Sequence, residues 1–226
     1  MSGAEVEALL LSLRVSGVAV VGALPFALGL AWLLSRGQFR GRFALDILVH
    51  LPLVLPPVVV GYLLLISLGQ SAPLGGLLDR WFGIRFVFSW LGAALAAGIV
   101  TLPFQVRAIR LALDAIDPRL EQVARTLGAR PFNVLRHVTL PLAAPGIVAG
   151  AITAFAASLG EFGAIITFVS NVPGETRTLP LAIYTALQSP GGEAMAARLS
   201  LLAIVLAVAG LALSEWVARR LRRWSR

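Results

Sequence analysis

Glu161 is the one ionisable side chain within residues 142–169, a run that is otherwise apolar or small. A carboxylate in hydrocarbon costs a few kcal/mol unless it is paired or wetted. At 1.5 Å per helical residue it stands about 28 Å beyond Leu142, close to the far face of a bilayer. Two roles suit that depth. One is structural, an interfacial carboxylate hydrogen-bonded between subunits. The other is part of a gate, with Ser158 on the same segment and Gly160 and Gly163 letting the helix break there. Direct ligation of an anion is disfavoured, because like charges repel.

The remaining chemistry is defined largely by what is missing. All 19 basic residues are arginine, and there is no lysine or cysteine. Schiff-base formation, a phosphate-binding P-loop lysine, a thiolate nucleophile and a disulfide framework are therefore excluded. Two histidines, His50 and His137, are too few and too far apart to suggest a metal centre. A membrane enzyme would need buried acid–base or nucleophilic groups, and the apolar runs offer only Glu161 and a few hydroxyls. None of these patterns calls for a cofactor.

A second unusual chemistry lies in the backbone. Residues 51–58 read Leu-Pro-Leu-Val-Leu-Pro-Pro-Val, with Pro52, Pro56 and Pro57 inside an apolar run. Each proline removes an N–H and crowds the preceding turn. In lipid the freed carbonyls must find neighbouring helices or water. The Pro56-Pro57 pair therefore marks a hinge, a stretch that lines a pathway, or a kink that only tunes packing. Pro25 reads as a packing kink.

The elements that must hold these residues follow from hydropathy. Mean hydropathy is +0.87, and only 13% of residues are charged. A bilayer core of about 30 Å needs about 20 helical residues. Residues 15–34, 51–68, 86–106, 142–159 (continuing past Glu161 to 169) and 199–217 each supply such a run. The first is expected to be a retained span, since the residues before it hold Glu5 and Glu7 where a cleaved signal would carry a basic cluster. The fold expected is all-α: a polytopic transmembrane bundle of about five spans, with 1–226 forming a single membrane domain.

Five spans put the termini on opposite sides, and arginine gathers on the cytoplasmic side. Arg36, Arg40 and Arg42, the six arginines from Arg107 to Arg136, and the tail Arg219, Arg220, Arg222, Arg223 and Arg226 would share one side. Arg14, Arg80, Arg85, Arg177 and Arg198 fall on the other. The N-terminus is expected outside and the C-terminus in the cytoplasm. The net charge of +8 thus reflects membrane topology and not nucleic-acid binding.

Residues 114–141 form a charged cytoplasmic loop. Asp117 suits an N-cap and Pro118 the first helical position. Leu120, Val123, Ala124 and Leu127 then recur at helical spacing, giving one apolar face. Gly128 suits a left-handed cap, and a second short helix can start at Pro131. Such an amphipathic helix lies on the membrane surface or fits a groove on a partner.

Gln122-Val123-Ala124, three residues, Gly128, nine residues, then Val138-Thr139-Leu140-Pro141 resembles the signature loop of ABC importer permeases. That signature reads Glu-Ala-Ala, with a glycine four residues after its last alanine and Ile-x-Leu-Pro beyond. The departures are Gln122, Val123 and Val138, and Glu121 lies next door. The resemblance implies that residues 114–141 are a coupling loop seated in a cleft of an ATP-hydrolysing subunit. Ala124 and Gly128 would permit close approach, and Leu140-Pro141 would fix the exit of the loop. The chain would be a transport subunit, with ATP hydrolysis carried elsewhere.

Ser158-Leu-Gly-Glu161-Phe-Gly163, the segment from Phe168 to Pro180, His50 to Tyr62, and Ser214-Glu215-Trp216 are similar to the molybdate permease family over nearly the whole chain. That resemblance implies a homodimer in the inner membrane, two ATP-binding subunits and an extracytoplasmic molybdate-binding protein, importing molybdate and often tungstate. Sulfate or thiosulfate permeases share part of these motifs and are the alternative. A stand-alone channel or carrier is the rival from another class; it would show inverted repeats or several intramembrane charges, and neither is visible. The outward arginines would meet acidic residues of the binding protein or remain solvated loop charges.

Overall fold

A computed structural model describes residues 2–224, apart from the side chains of residues 214, 218, 219 and 221–224. Arg226 and the side chains of Ser214, Arg219, Arg222 and Arg223 thus lie outside the described residues. The described residues hold helices and no strand. In chain order these are α1 (Gly3–Arg36), α2 (Arg42–Val54), α3 (Pro57–Leu68), α4 (Pro73–Phe82), α5 (Trp90–Asp114), α6 (Pro118–Thr126) and α7 (Pro131–Val134). A π-turn (Leu135–Thr139) leads into α8 (Leu140–Leu159), followed by α9 (Gly163–Val169), α10 (Leu179–Leu187) and α11 (Glu193–Trp224).

Four of these segments are long and apolar enough to cross a membrane: Gly3–Arg36, Trp90–Asp114, Pro131–Leu159 and Glu193–Val217. The run 51–68 is not one straight span. It takes in the last turn of α2 and all of α3, a pair bent by 114°, and counting the pair as one span gives five. The cause is local. A residue before proline is pushed out of the helical region, and here two in succession are: Leu55 (φ −71°, ψ 141°) and Pro56 (φ −55°, ψ 134°). The fourth run is also interrupted, because α8 stops at Leu159 and α9 restarts at Gly163.

Helix α1 packs along α5, α5 along α8, α8 along α11, and α3 against α9. Small side chains set the spacing. Ala19 on α1 faces Gly98 on α5, where a Cβ would stand 3.3 Å from the Ala19 carbonyl oxygen. The apolar core has two main parts. One gathers Val15, Ala19, Ala93, Ala97, Phe168 and Leu181 toward the Gly3 end of α1. The other gathers Ala31, Leu34, Val106, Ile109, Leu113 and Ala143 toward its Arg36 end. Between them the buried Gln105 amide donates to the Val20 carbonyl at 3.4 Å.

The outside of the bundle is as apolar as its interior. Phe43, Val54, Phe26 and Leu211 are each at least 69% exposed. In water such a surface would drive aggregation; against lipid tails it is the matched solvent. Helix α1, at 34 residues, is about 50 Å long and outruns the hydrocarbon core. Its first turns carry a capping box between Ser2 and Glu5. They are fastened from the side by Arg198 of α11, whose guanidinium donates to Glu5 at 2.8 Å.

Candidate functional site: the capped loop and the two broken helices

The loop helix α6 is defined at both ends by side-chain and backbone caps. Asp117 adopts an extended backbone, and its Oδ1 accepts from the Arg119 N–H at 2.9 Å. Pro118 follows at the first helical position. At the other end Gly128 has φ +86°, a region a side chain opposes. The Ala129 N–H returns to the Ala124 carbonyl and the Gly128 N–H to that of Arg125, each at 3.0 Å. That pair is the Schellman arrangement, which satisfies two orphan carbonyls.

The orientation of α6 inverts the usual amphipathic rule. Leu120, Val123 and Leu127 face outward, with Leu127 83% exposed, while Glu121 turns in and is only 9% exposed. Phe132 of α7 adds another exposed ring. Ala124 is half-buried and Gln122 exposed. Glu121, expected among the groups of the loop, therefore points into the bundle. Val138 belongs to the π-turn, and Leu140 and Pro141 open α8. The π-turn has a physical reason: in a regular helix the Pro141 ring would clash with the His137 carbonyl, and widening one turn relieves it.

The second group of residues meets in one place. Glu161 is 7% exposed, and its Oε1 accepts from the Ala164 N–H at 2.8 Å, capping α9. The Ser158 hydroxyl, on the last turn of α8, is buried without a hydrogen-bond partner among the described residues. At Gly163 a Cβ would stand 3.0 Å from the Pro57 Cβ and 3.3 Å from the Val58 nitrogen. At Gly61 it would stand 2.6 Å from the Ala164 carbonyl oxygen. The break in α2–α3 and the break in α8–α9 are thus packed against each other. Pro56 and Gly160 stay exposed on either side of this contact.

Of the outward arginines, Arg85 pairs with Asp79 at 2.9 Å and Arg198 with Glu5. Arg177 donates through Nε to Asn171 Oδ1 at 2.9 Å, and Asn171 in turn donates to Thr185 Oγ1 at 2.8 Å. Arg14 stacks over the Trp90 ring, 3.7 Å from its centroid. Sequence reasoning missed the roles of Gly61, Arg36 and Thr139. For Gly61 a signal existed, a glycine within an uninterrupted apolar run. For the other two no local signal exists, since their partners are remote in sequence.

The chain is thus a bundle with two broken helices and a capped loop between its third and fourth crossings. Residues 23–223 match the family described as the binding-protein-dependent transport system inner membrane component, and the chain belongs to that family. Among individual proteins, the chain is similar to the molybdenum transport system permease protein ModB of Escherichia coli K12, with 59% identity over 95% of this chain and 94% of that one. It is 51% identical to the protein of the same name from Haemophilus influenzae, over 97% of this chain and 96% of that one. The sulfate transport system permease protein CysT of Salmonella typhimurium is 38% identical over 76% of this chain and 62% of its own length. Among solved structures, the inward-facing MetNI methionine ABC transporter superposes with a TM-score of 0.75 at 18% identity, covering 98% of this chain and 99% of that one. That likeness shows the fold.

Proposed function

We propose that the chain is the permease subunit of an ATP-driven importer that carries molybdate into the cytoplasm by alternating access. The observation that carries this reading is the 59% identity to a molybdenum permease across almost the whole chain. In this reading α6, with its outward apolar face, seats in a separate ATP-binding subunit, and two copies of each subunit make the complex. Closure of the ATP-binding pair draws the two loops together. The halves then rock, and the paired breaks at Pro56-Pro57 and Gly160–Gly163 absorb the change as a hinge. The N-terminus lies outside and the C-terminus in the cytoplasm, an assignment supported by the arginine distribution. An extracytoplasmic binding protein delivers the oxyanion.

The direct test is uptake of labelled molybdate by the complex reconstituted in proteoliposomes, with ATP inside. Uptake that needs ATP and resists a large excess of sulfate is the expected result. Sulfate competing on equal terms would favour the second reading, a sulfate permease, for which the likeness to CysT is the supporting observation.

A further inference from the structure

We propose that Glu121 is a positioning residue that latches the loop helix to the bundle, so that displacement of α6 passes to α1, α5 and α8 as one rigid movement. Its Oε1 accepts from Arg36 Nη2 at 3.2 Å and from Thr139 Oγ1 at 3.1 Å. The same Arg36 nitrogen donates to the Leu113 carbonyl at 3.3 Å. Four elements therefore meet around one ion pair: the last turn of α1, the first turn of α6 and the end of the π-turn that starts α8 directly, and the last turn of α5 through Arg36. Thr139 is fully buried and Glu121 nearly so. The Arg36 Nε is buried without a partner of its own among the described residues, so the Nη2 contacts to Glu121 and to Leu113 are the polar anchors of this guanidinium.

The geometry makes the latch necessary for transmission. The apolar residues of α6 face outward, so they cannot glue the helix to its own bundle. Among the described residues, α6 packs chiefly on α7 and the π-turn. The ion pair joins it to α1 across 85 residues of sequence. A charge-assisted hydrogen bond in a partly buried setting fixes direction as well as distance, which a few methyl contacts would not. Without it, a push on the outward face would rotate α6 about the π-turn instead of moving α8.

This inference deepens the importer reading and rests on it for its transport consequence, so its test has a readout that does not need transport. Because the chain has no cysteine, spin labels can be placed cleanly through Leu33→Cys on α1 and Leu127→Cys at the end of α6. With native Glu121 the distance distribution between these labels should be narrow. Glu121→Gln keeps the shape and an acceptor for Thr139 but loses the charge facing Arg36, and should broaden the distribution. In the reconstituted complex the same variant should keep its ATP-binding subunit and continue to hydrolyse ATP. Its molybdate imported per ATP should fall about fivefold to tenfold, the scale on which a coupling residue shifts a two-state equilibrium. Glu121→Asp should restore part of the loss. Thr139→Val, which leaves the ion pair in place, should give a smaller broadening and guards against failure of the first variant to accumulate. Distributions unchanged from the parent in both variants would overturn the latch. Absence of molybdate uptake with native Glu121 would instead overturn the importer reading and leave the distance measurement to decide the latch alone.

Discussion

At the residue scale, the informative side chains are those whose burial conflicts with their polarity. Glu161 sits among apolar helices, yet its partner is local: it caps α9 through the Ala164 N–H. That assigns its first duty to holding the break open as a defined turn. Glu161→Gln retains an oxygen that can accept the same bond, so assembly with the ATP-binding subunit should survive. If the break is part of the gate, ATPase activity and uptake should nevertheless change their ratio. Glu161→Ala removes the cap as well and should lower thermal stability by about 1 kcal/mol, read as a shift of the detergent-solubilised melting point. Uptake and ATPase unaltered in the Gln variant would reject a gating role for the charge. Ser158, buried and unpaired on the preceding turn, is the hydroxyl placed to respond if that turn rearranges.

At the scale of elements, α3 and α9 are the pair on which the proposed hinge depends. Both are short, at 12 and 7 residues, and they meet backbone to backbone at Gly61 and Gly163. Gly61→Val would drive its side chain into the Ala164 carbonyl and must separate the two helices. Overpacking of this kind typically costs about 1–3 kcal/mol. The expected outcome is a complex that assembles less well and loses uptake more than it loses ATPase activity; wild-type uptake would show that the contact is not part of the moving machinery.

Much of this layer was legible in sequence. The Pro56-Pro57 pair and the Gly160-Glu161-Phe162-Gly163 segment each announced a break, and Asp117, Pro118 and Gly128 announced both ends of α6. Helices α4 and α10 were not anticipated, because at 10 and 9 residues they are too short to register as crossings. Yet Pro73 opens α4 at its first position, and Gly83, at φ +64°, closes it. Those punctuation marks were available to a reading that attended to caps as well as to hydropathy. Apolar runs also mark the lipid boundary and not the helix boundary. For that reason α5 continues through Arg107 and Arg110 to Asp114, past the end of its apolar stretch. What could not be read at all were long-range polar pairs. The Leu179 N–H reaches Ser12 Oγ at 2.6 Å across 167 residues, and nothing near either residue predicts the other.

At the scale of the whole molecule, the arginine count and the packing divide the bundle into two unlike ends. One end holds the Arg36, Arg110, Asp46 and Glu121 ion pairs and the capped loop. The other holds Glu5 with Arg198 and the loop that carries Arg177. The sidedness can be checked with single cysteines in intact cells. Arg40→Cys, exposed in the connection between α1 and α2, should react with a membrane-impermeant maleimide only after the cytoplasmic membrane is breached, while Glu7→Cys should react from outside. Labelling in the opposite order would reverse the proposed topology.

The excess length of α1 has its own consequence. About 20 of its residues suffice to cross the hydrocarbon, and the turns from Gly3 to Arg14 are walled in by α10 and α11 through Ala8, Leu179 and Leu199, with the Leu179 N–H donating to Ser12 Oγ. On the proposed topology, a soluble protein arriving at that end would meet a rim in which α1, α10 and α11 share one packed wall, pinned by the Arg198–Glu5 pair.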